Sequence, residues 1–179
     1  LLNDYSRRGF VDGVSLRLPT ICVRPGKPNK AASGFFSNIL REPLVGIEAI
    51  LPAAKSATNY FASPRSAVGF LVHAANLDTS VLGDNRAMMM PGVWGTVGDE
   101  IEALRRVAGD EIVALIKDEP DPVIEKMLSN WNFPDITSAR ARSLGFNAEN
   151  TLDELIRAAG ADPMEERLRL VNHPVHRTV

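Results

Sequence analysis

The chain has 179 residues, 45% of them hydrophobic and 23% charged, with a formal net charge of −2; this excludes a disordered tail and indicates a soluble globular protein of one domain or slightly more. A compact chain of this size buries roughly 70% of the surface it exposes when unfolded, so its core needs no metal or disulfide staple. One cysteine excludes an internal disulfide and permits a reducing, cytoplasmic setting, and no apolar run approaches the ~18 to 20 residues of a membrane span.

Leu1, Leu2 and Tyr5 lie on one helical face, and Arg7-Arg8-Gly9 supplies a helix ending, with cations against the dipole and a glycine at C′. No N-cap, first turn or start methionine stands ahead of that ending, so the sequence reads as opening inside a helix, as the C-terminal part of a longer protein would. The run Val14-Ser15-Leu16-Arg17-Leu18 continues through Pro19-Thr20 into Ile21-Cys22-Val23 and breaks at Arg24-Pro25-Gly26, which predicts a buried strand of a parallel sheet. A short helix is expected over 32–40, stopped by Pro43 and Gly46, and strands over 48–51 and 58–62. Ser63-Pro64 is the clearest helix start, with Ser63 as N-cap and Pro64 at the first helical position. Ala67 to Leu77 is apolar on nearly every face, which predicts a helix buried between layers. Arg86 to Pro91 reads as a short strand. From Thr96 helices dominate, opened by capping boxes at Thr96/Asp99 and Thr151/Glu154 and a further pair at Asp162/Glu165. Pro120, Pro122, Pro134 and Pro163 cut them into lengths of about 8 to 13 residues. This order is that of an α/β fold passing into a mainly helical part.

The near-neutral total hides an asymmetry: residues 1–65 carry a net charge of +5 and residues 66–179 a net of −7. An anionic ligand is expected on the basic third. Nucleic acid is not expected as a partner, because the basic residues are dispersed among apolar strands, aromatics total 6%, and no helix shows a Lys/Arg stripe.

Several of these stretches together resemble one family: the helix end Leu1 to Gly9, the strand Ser15 to Ile21 leading into Arg24-Pro25-Gly26, the helix Gly34 to Arg41 before Pro43-Leu44-Val45-Gly46, and Ser63-Pro64-Arg65-Ser66-Ala67-Val68. They resemble the C-terminal half of an extended short-chain dehydrogenase/reductase, of the NAD-dependent epimerase/dehydratase kind. Arg24-Pro25-Gly26-Lys27-Pro28-Asn29-Lys30, the Ser63 to Gly69 stretch and Trp131-Asn132-Phe133 resemble the branch of D-erythronate dehydrogenases and nucleoside-diphosphate-sugar epimerases in particular. The match runs to about residue 158, and Asp162 to Val179 takes no role from it.

The resemblance implies an α/β fold built from the last strands and helices of a Rossmann-type parallel sheet plus a mainly helical C-terminal substrate-binding part. Residues 1–24 would end the NAD-binding domain and 25–179 would form the substrate-binding part, with 63–90 packing back on the sheet. NAD is the cofactor implied for the whole protein. The family holds it on a Gly-x-x-Gly-x-x-Gly turn at the first strand and moves its proton with a Tyr-x-x-x-Lys pair. The sequence reads as carrying neither, since the residue four places after Tyr5 is Gly9. No catalytic residue is therefore assigned, and the 179 residues alone are expected neither to bind NAD appreciably nor to turn over substrate.

By position in the family, Leu18, Pro19 and Ile21 match cofactor-facing places and Thr20 a substrate-contacting one; the plainer reading is that Pro19 ends a strand and the apolar pair is core. A hydroxyl at the carboxyl end of a parallel strand lies where α/β sheets bind ligands. Arg24 offers a fork-shaped cation for the carboxylate of a small hydroxy acid, against the alternative of a solvated loop arginine. Lys27, Asn29 and Ser33 are weaker candidates nearby. Arg65 sits near the start of a helix, against the dipole, which points either to an anionic ligand or to a structural carboxylate. His73 reads as a core histidine with a backbone partner, Cys22 as an inert buried thiol, Met88 to Met90 as core strand, and the acidic residues of the helical half as a solvated face. His173 and His176 lack a carboxylate or thiol partner at ligand spacing, so no metal is expected.

The reading that follows is the substrate-recognising part of an NAD-dependent oxidoreductase acting on a small polyhydroxy acid such as D-erythronate, inactive alone. The alternatives are a nucleotide-sugar epimerase or dehydratase, and a non-catalytic fragment that self-associates. The apolar edge of the Ser15 to Val23 strand must be covered, so a homodimer is expected. A membrane is not expected as a partner.

Overall fold

The computed structural model describes residues 1–24, 31–129, 131 and 136–159. Helix α1 (Leu2–Arg7) is followed by strands β1 (Ser15–Arg17) and β2 (Thr20–Ile21), then by a 3-10 turn (Ala32–Gly34) that runs into α2 (Phe35–Leu44). Next come β3 (Ala49–Leu51), β4 (Thr58–Ala62), α3 (Pro64–Ala75), β5 (Ala87–Met89) and β6 (Val93–Thr96). The remainder is α4 (Val97–Ala108), α5 (Asp110–Val113), β7 (Ile116–Asp118), α6 (Pro122–Ser129), α7 (Ala139–Ser143) and α8 (Leu152–Ala159). The α/β expectation holds, as does the shift towards helix after Thr96.

The single buried strand expected over Val14–Val23 is instead two strands in two sheets. β1 pairs in parallel with β5, Leu16 opposite Met88, while β2 pairs in parallel with β4, Thr20 opposite Phe61 and Ile21 opposite Ala62. The break falls at Leu18-Pro19. Proline has no N–H to give a ladder, and the first ladder closes where the Met90 N–H donates to the Arg17 carbonyl at 2.9 Å. The second extends one residue further, the Cys22 N–H donating to Ala62 O at 3.0 Å. β4 also pairs antiparallel with β6, and β3 pairs in parallel with β7. β6 and β7 have no counterpart in the sequence reading.

Two apolar clusters fill the interior. The larger joins Phe36, Ile39 and Leu40 of α2 to Phe61, Leu104 and Leu155; the smaller gathers Phe70, Met88, Met90 and Phe146, with Leu16 and Ile21 packed against it. Met88 and Met90 are core, as expected.

α3 departs from expectation. It starts as predicted, the Ser63 hydroxyl accepting the Ser66 N–H at 3.0 Å, but only Ser66 and Phe70 of its residues are buried. Val68 is 42% and Leu71 58% exposed. The helix is apolar on faces that none of the described residues covers, because composition around a helix says nothing about which neighbours are present. His73 has the expected backbone partner, its Nε2 lying 2.8 Å from the Leu144 carbonyl and its ring edge-on to Phe146, but it is half-buried and not core.

α2 runs four residues beyond the expected 32–40, through Pro43 to Leu44, and turns at Gly46, whose φ of +77° favours glycine. The α4 capping box forms fully, Thr96 Oγ1 accepting the Asp99 N–H at 3.0 Å and the Asp99 carboxylate accepting the Thr96 N–H at 2.8 Å. The one at α8 is shifted: Thr151 Oγ1 accepts from the Glu154 N–H, but the Glu154 carboxylate accepts from Asn150. Pro134, Pro163, the Asp162/Glu165 pair, Asn132, Phe133, His173 and His176 lie outside the described residues. Among the described residues, no helix is long and apolar enough to cross a membrane.

Candidate functional site

Four of the predicted site residues, Leu18 to Ile21, lie where the run 14–23 changes sheets, Arg24 follows them, and Arg65 lies apart in α3. Leu18, just past the carboxyl end of β1, is 43% exposed, so it is not core. Pro19 is buried. A Cβ on Gly92 would stand 2.5 Å from Phe61 O and 3.0 Å from both the Pro19 ring and the Tyr60 ring, so a glycine there is what lets Pro19 seat. Ile21 is partly buried against the smaller apolar cluster. Thr20 is half-buried, and its hydroxyl donates to Asn59 Oδ1 at 3.2 Å.

Arg24 is fixed through its main chain. Its N–H donates to Ser37 Oγ at 2.8 Å, and its carbonyl accepts from Arg41 Nη1 at 3.0 Å. Arg41 is itself locked, Nη2 donating to Asn38 Oδ1 at 2.8 Å and to Glu42 Oε1 at 2.6 Å, with both members of the ion pair largely covered. One face of α2 thus sets where the Arg24 side chain begins. Ser33 lies in the 3-10 turn ahead of α2; Lys27 and Asn29 lie outside the described residues.

Arg65 is exposed near the start of α3 and already has an interaction partner. The N-terminus of that helix is occupied by a carboxylate. Glu149 accepts from Ser63 Oγ at 2.5 Å, from Ser66 Oγ at 2.8 Å and from the Ser63 N–H at 3.3 Å. An acidic side chain satisfies the end of the dipole there, and it ties the segment before α8 to the end of β4. The register adds a relation the sequence does not show: Ile21 and Ala62 are paired, and Arg24 and Arg65 each follow three residues later.

Three polar residues at or beneath this region were missed. Asn59 is buried to 2% exposure with its Nδ2 unpartnered, and Glu149, which no motif in the sequence marks, caps α3. Glu100 is fully buried with neither carboxylate oxygen partnered, which corrects the reading of the helical acids as uniformly solvated. Its signal was legible, because Val97, Glu100, Ile101 and Leu104 follow the spacing of one helical face. Burial holds the Glu100 carboxyl well above the usual carboxylate range. Burial, with the nearby Glu100 carboxyl adding to it, pushes the Cys22 thiol well up, while Arg24 acts the other way. Cys22 is accordingly a fully buried, protonated thiol, as expected. Among the described residues, no group of His, Cys, Asp or Glu is placed to hold a metal ion.

The run Gly92-Val93-Trp94-Gly95-Thr96-Val97-Gly98 carries the Gly-x-x-Gly-x-x-Gly spacing that the sequence reading did not find. Its glycines face protein. A Cβ on Gly92 would strike Phe61 O, one on Gly95 would stand 2.9 Å from Leu152 Cδ1, and one on Gly98 would stand 3.3 Å from Lys55 O. The helix that follows is closed by Thr96 and Asp99. These residues do not form a cradle for a dinucleotide pyrophosphate, which needs glycines opening onto free N–H groups and no carboxylate in the way.

No protein-family model matches the chain. The D-erythronate dehydrogenase of Cupriavidus necator is 48% identical over 159 residues, 88% of this chain and 48% of that protein. That of Haemophilus influenzae is 41% identical over 156 residues, 87% of this chain and 49% of that protein. The chain is a relative of the D-erythronate dehydrogenases. It spans about half the length of these curated relatives. Among solved structures, the nucleoside-diphosphate-sugar epimerase from Agrobacterium tumefaciens superposes with a TM-score of 0.87 at 56% identity, covering 92% of this chain and 48% of that one. L-threonine 3-dehydrogenase from Trypanosoma brucei, at 17% identity and a TM-score of 0.71, shares the fold. The resemblance to extended short-chain dehydrogenase/reductases therefore stands, and with it the Rossmann-type character of the parallel strands.

Proposed function

We propose that this chain is the C-terminal, substrate-recognising portion of an NAD-dependent oxidoreductase that acts on a small polyhydroxy acid such as D-erythronate. The observation that carries this reading is that Thr20 opens β2 three residues beyond the end of β1, and Arg24 follows the carboxyl end of β2, in the region where sheets of this class bind ligands. Residues 1–24 then end the NAD-binding domain, 25–179 form the substrate-binding part, and 63–90 pack back on the sheet, a division supported by the β1–β5 pairing. Leu18, Pro19 and Ile21 would border the nicotinamide, Thr20 would meet a substrate hydroxyl, and Arg24 with Arg65 would meet its carboxylate. The pyrophosphate of NAD would be held by residues outside this chain, and so would the tyrosine and lysine that move the proton.

The expected result is twofold. Titrated with NAD in a calorimeter, the 179-residue chain shows no micromolar binding. Joined to a nucleotide-binding half that carries the glycine turn and the Tyr-x-x-x-Lys pair, it reduces NAD when given D-erythronate, followed by absorbance of the nicotinamide. The similarity to the Agrobacterium protein favours one second reading, a nucleotide-sugar epimerase. That enzyme would interconvert its sugar with no net reduction of NAD, so the same assay separates the two.

The setting we propose is the cytoplasm, with no nucleic acid or membrane as partner and a second copy of the chain as its neighbour. Support for self-association comes from surface left open among the described residues: β1 pairs only with β5, and Phe10, Val68 and Leu71 are exposed. Light scattering on the purified chain is expected to give a dimer. A stable monomer removes this part of the reading.

A further inference from the structure

We propose that Asn59 is a positioning residue that turns the Thr20 hydroxyl into an acceptor, so that Thr20 selects a ligand hydroxyl and rejects a ligand carboxylate or phosphate oxygen. The proposal rests on the reading of this region as a binding site and names which part of a polyhydroxy acid is read where.

The orientation of the Asn59 amide is not ambiguous. Its Oδ1 lies 2.8 Å from the backbone nitrogen of Tyr60, and only an oxygen accepts from an N–H. Flipping the amide would set two donors against each other. With Oδ1 fixed in that place, the 3.2 Å contact to Thr20 Oγ1 has one chemical meaning: an amide oxygen cannot donate, so the threonine does. A threonine hydroxyl has a single proton, and here it is committed.

What Thr20 offers beyond Asn59 is therefore lone pairs only. The residue is half-buried, in the segment where the chain leaves one sheet and joins the next. A partner meeting the exposed part of this side chain must bring its own proton: an alcohol, an ammonium or an amide N–H. A carboxylate oxygen placed there meets oxygen with no proton between them. The anion is left to a cation, and the arginine that follows β2 has its backbone clamped from both sides by α2. Hydroxyl and carboxylate of one small molecule are thus read by different residues a few positions apart. The remaining group supports this division: Asn59 Nδ2 is buried with no partner, so the working end of this amide is its oxygen.

The test uses the 179-residue chain, three probes and amide NMR signals of Thr20 and Ile21. Erythritol supplies hydroxyls alone, succinate carboxylates alone, and D-erythronate both. Erythritol and D-erythronate are expected to shift the Thr20 and Ile21 signals saturably, and succinate to leave them in place. Thr20→Ser keeps that preference, while Thr20→Val weakens erythritol by about fivefold, the worth of one ordinary hydrogen bond. Asn59→Ala frees the Thr20 proton, so the preference for erythritol over succinate falls by a similar factor. Asn59→Asp keeps the preference, because a carboxylate accepts from both Tyr60 and Thr20 as the amide oxygen does. A side chain that merely supported the fold would change all affinities together and leave the preference alone. Where Asn59→Ala does not fold, the Thr20 pair decides by the same ratio.

Succinate shifting Thr20 as strongly as erythritol overturns the proposal, as does a preference unmoved by freeing the Thr20 proton, or the absence of any shift at Thr20 with all three probes. The two readings fail separately. D-erythronate acting at the Arg24 amide with no erythritol preference at Thr20 removes this proposal and leaves the polyhydroxy-acid reading. Erythritol preferred at Thr20 with D-erythronate inert removes that reading and leaves this proposal.

Discussion

Replacing Gly92 with alanine is expected to destabilise the protein by about 3 kcal/mol, a fall in melting temperature of roughly 6 to 12 °C for a chain of this length. The added methyl group meets a backbone oxygen, Phe61 O, at 2.5 Å, with the Pro19 and Tyr60 rings at 3.0 Å behind it. A carbonyl in the middle of β4 cannot swing aside without disturbing the pairs on both its flanks. Gly13 provides the control. There an alanine Cβ would also stand 2.5 Å from its nearest neighbour, but that neighbour is Leu2 Cδ1, the far end of a flexible side chain. Gly13→Ala is expected to cost less than about 1 kcal/mol, since a rotamer change relieves it. Thermal melts followed by circular dichroism compare the two variants, and equal costs would show that the Phe61 carbonyl is not a fixed wall.

Replacing Glu100 with glutamine is expected to stabilise the protein near neutral pH and to flatten its stability profile. The buried carboxyl, without a hydrogen-bond partner and held above its ordinary pKa by burial, keeps its proton in the folded state over a pH range where the unfolded chain has lost it. Over that range the folded form binds the extra proton, so stability is greatest below the unfolded pKa of ~4.3 and falls as pH rises, by up to about 1.4 kcal/mol per pH unit, until the folded pKa is reached. Glutamine has nothing to ionise and removes the slope. The depressed carboxylates Asp12, Asp78, Asp99 and Asp153 contribute with opposite sign, and they do so as the solution becomes acidic. Those carboxylates act below pH 5, and whatever else titrates between pH 5 and pH 7 is common to both proteins, so the difference between them over that interval reports Glu100. Urea unfolding across it should show the two proteins diverging as pH rises, with the variant ahead by more than about 1 kcal/mol at pH 7. Parallel profiles would mean the carboxyl finds a partner or water in solution.

Local chemistry was legible in the sequence and tertiary placement was not. Ser63-Pro64 and the Thr96/Asp99 box announce their helices because cap, proline and reciprocal carboxylate act within a few residues. β6 and β7 are only four and three residues long, too short for alternation to show, and their partners β4 and β3 lie far back in the chain. The all-round apolar character of α3 was read correctly, but whether such a face is covered depends on neighbours that periodicity does not name. Among the candidate site residues, Thr20 was nominated by its position in the family and Arg24 as a cation following a strand. Asn59 could not be picked out: asparagine is a poor strand residue, and its value comes from a threonine on another strand, brought alongside only by the β2–β4 register. The missed glycine spacing of 92–98 teaches the reverse lesson, since a motif present in the letters is spent on packing.

Because one short run of backbone closes two sheets, neither can assemble far ahead of the other. Ser15 must find Ala87 and Thr20 must find Phe61, both across long intervening loops, and only two residues separate β1 from β2. Such distant pairings cost chain entropy before they return any contact energy. Once one is made, the tether holds the next strand close to where it belongs, and the second closure becomes cheap. Folding around Pro19 should therefore be strongly cooperative, with hydrogen exchange at Ser15 and at Cys22, whose N–H groups bond Arg86 O and Ala62 O, opening together instead of as two independent units.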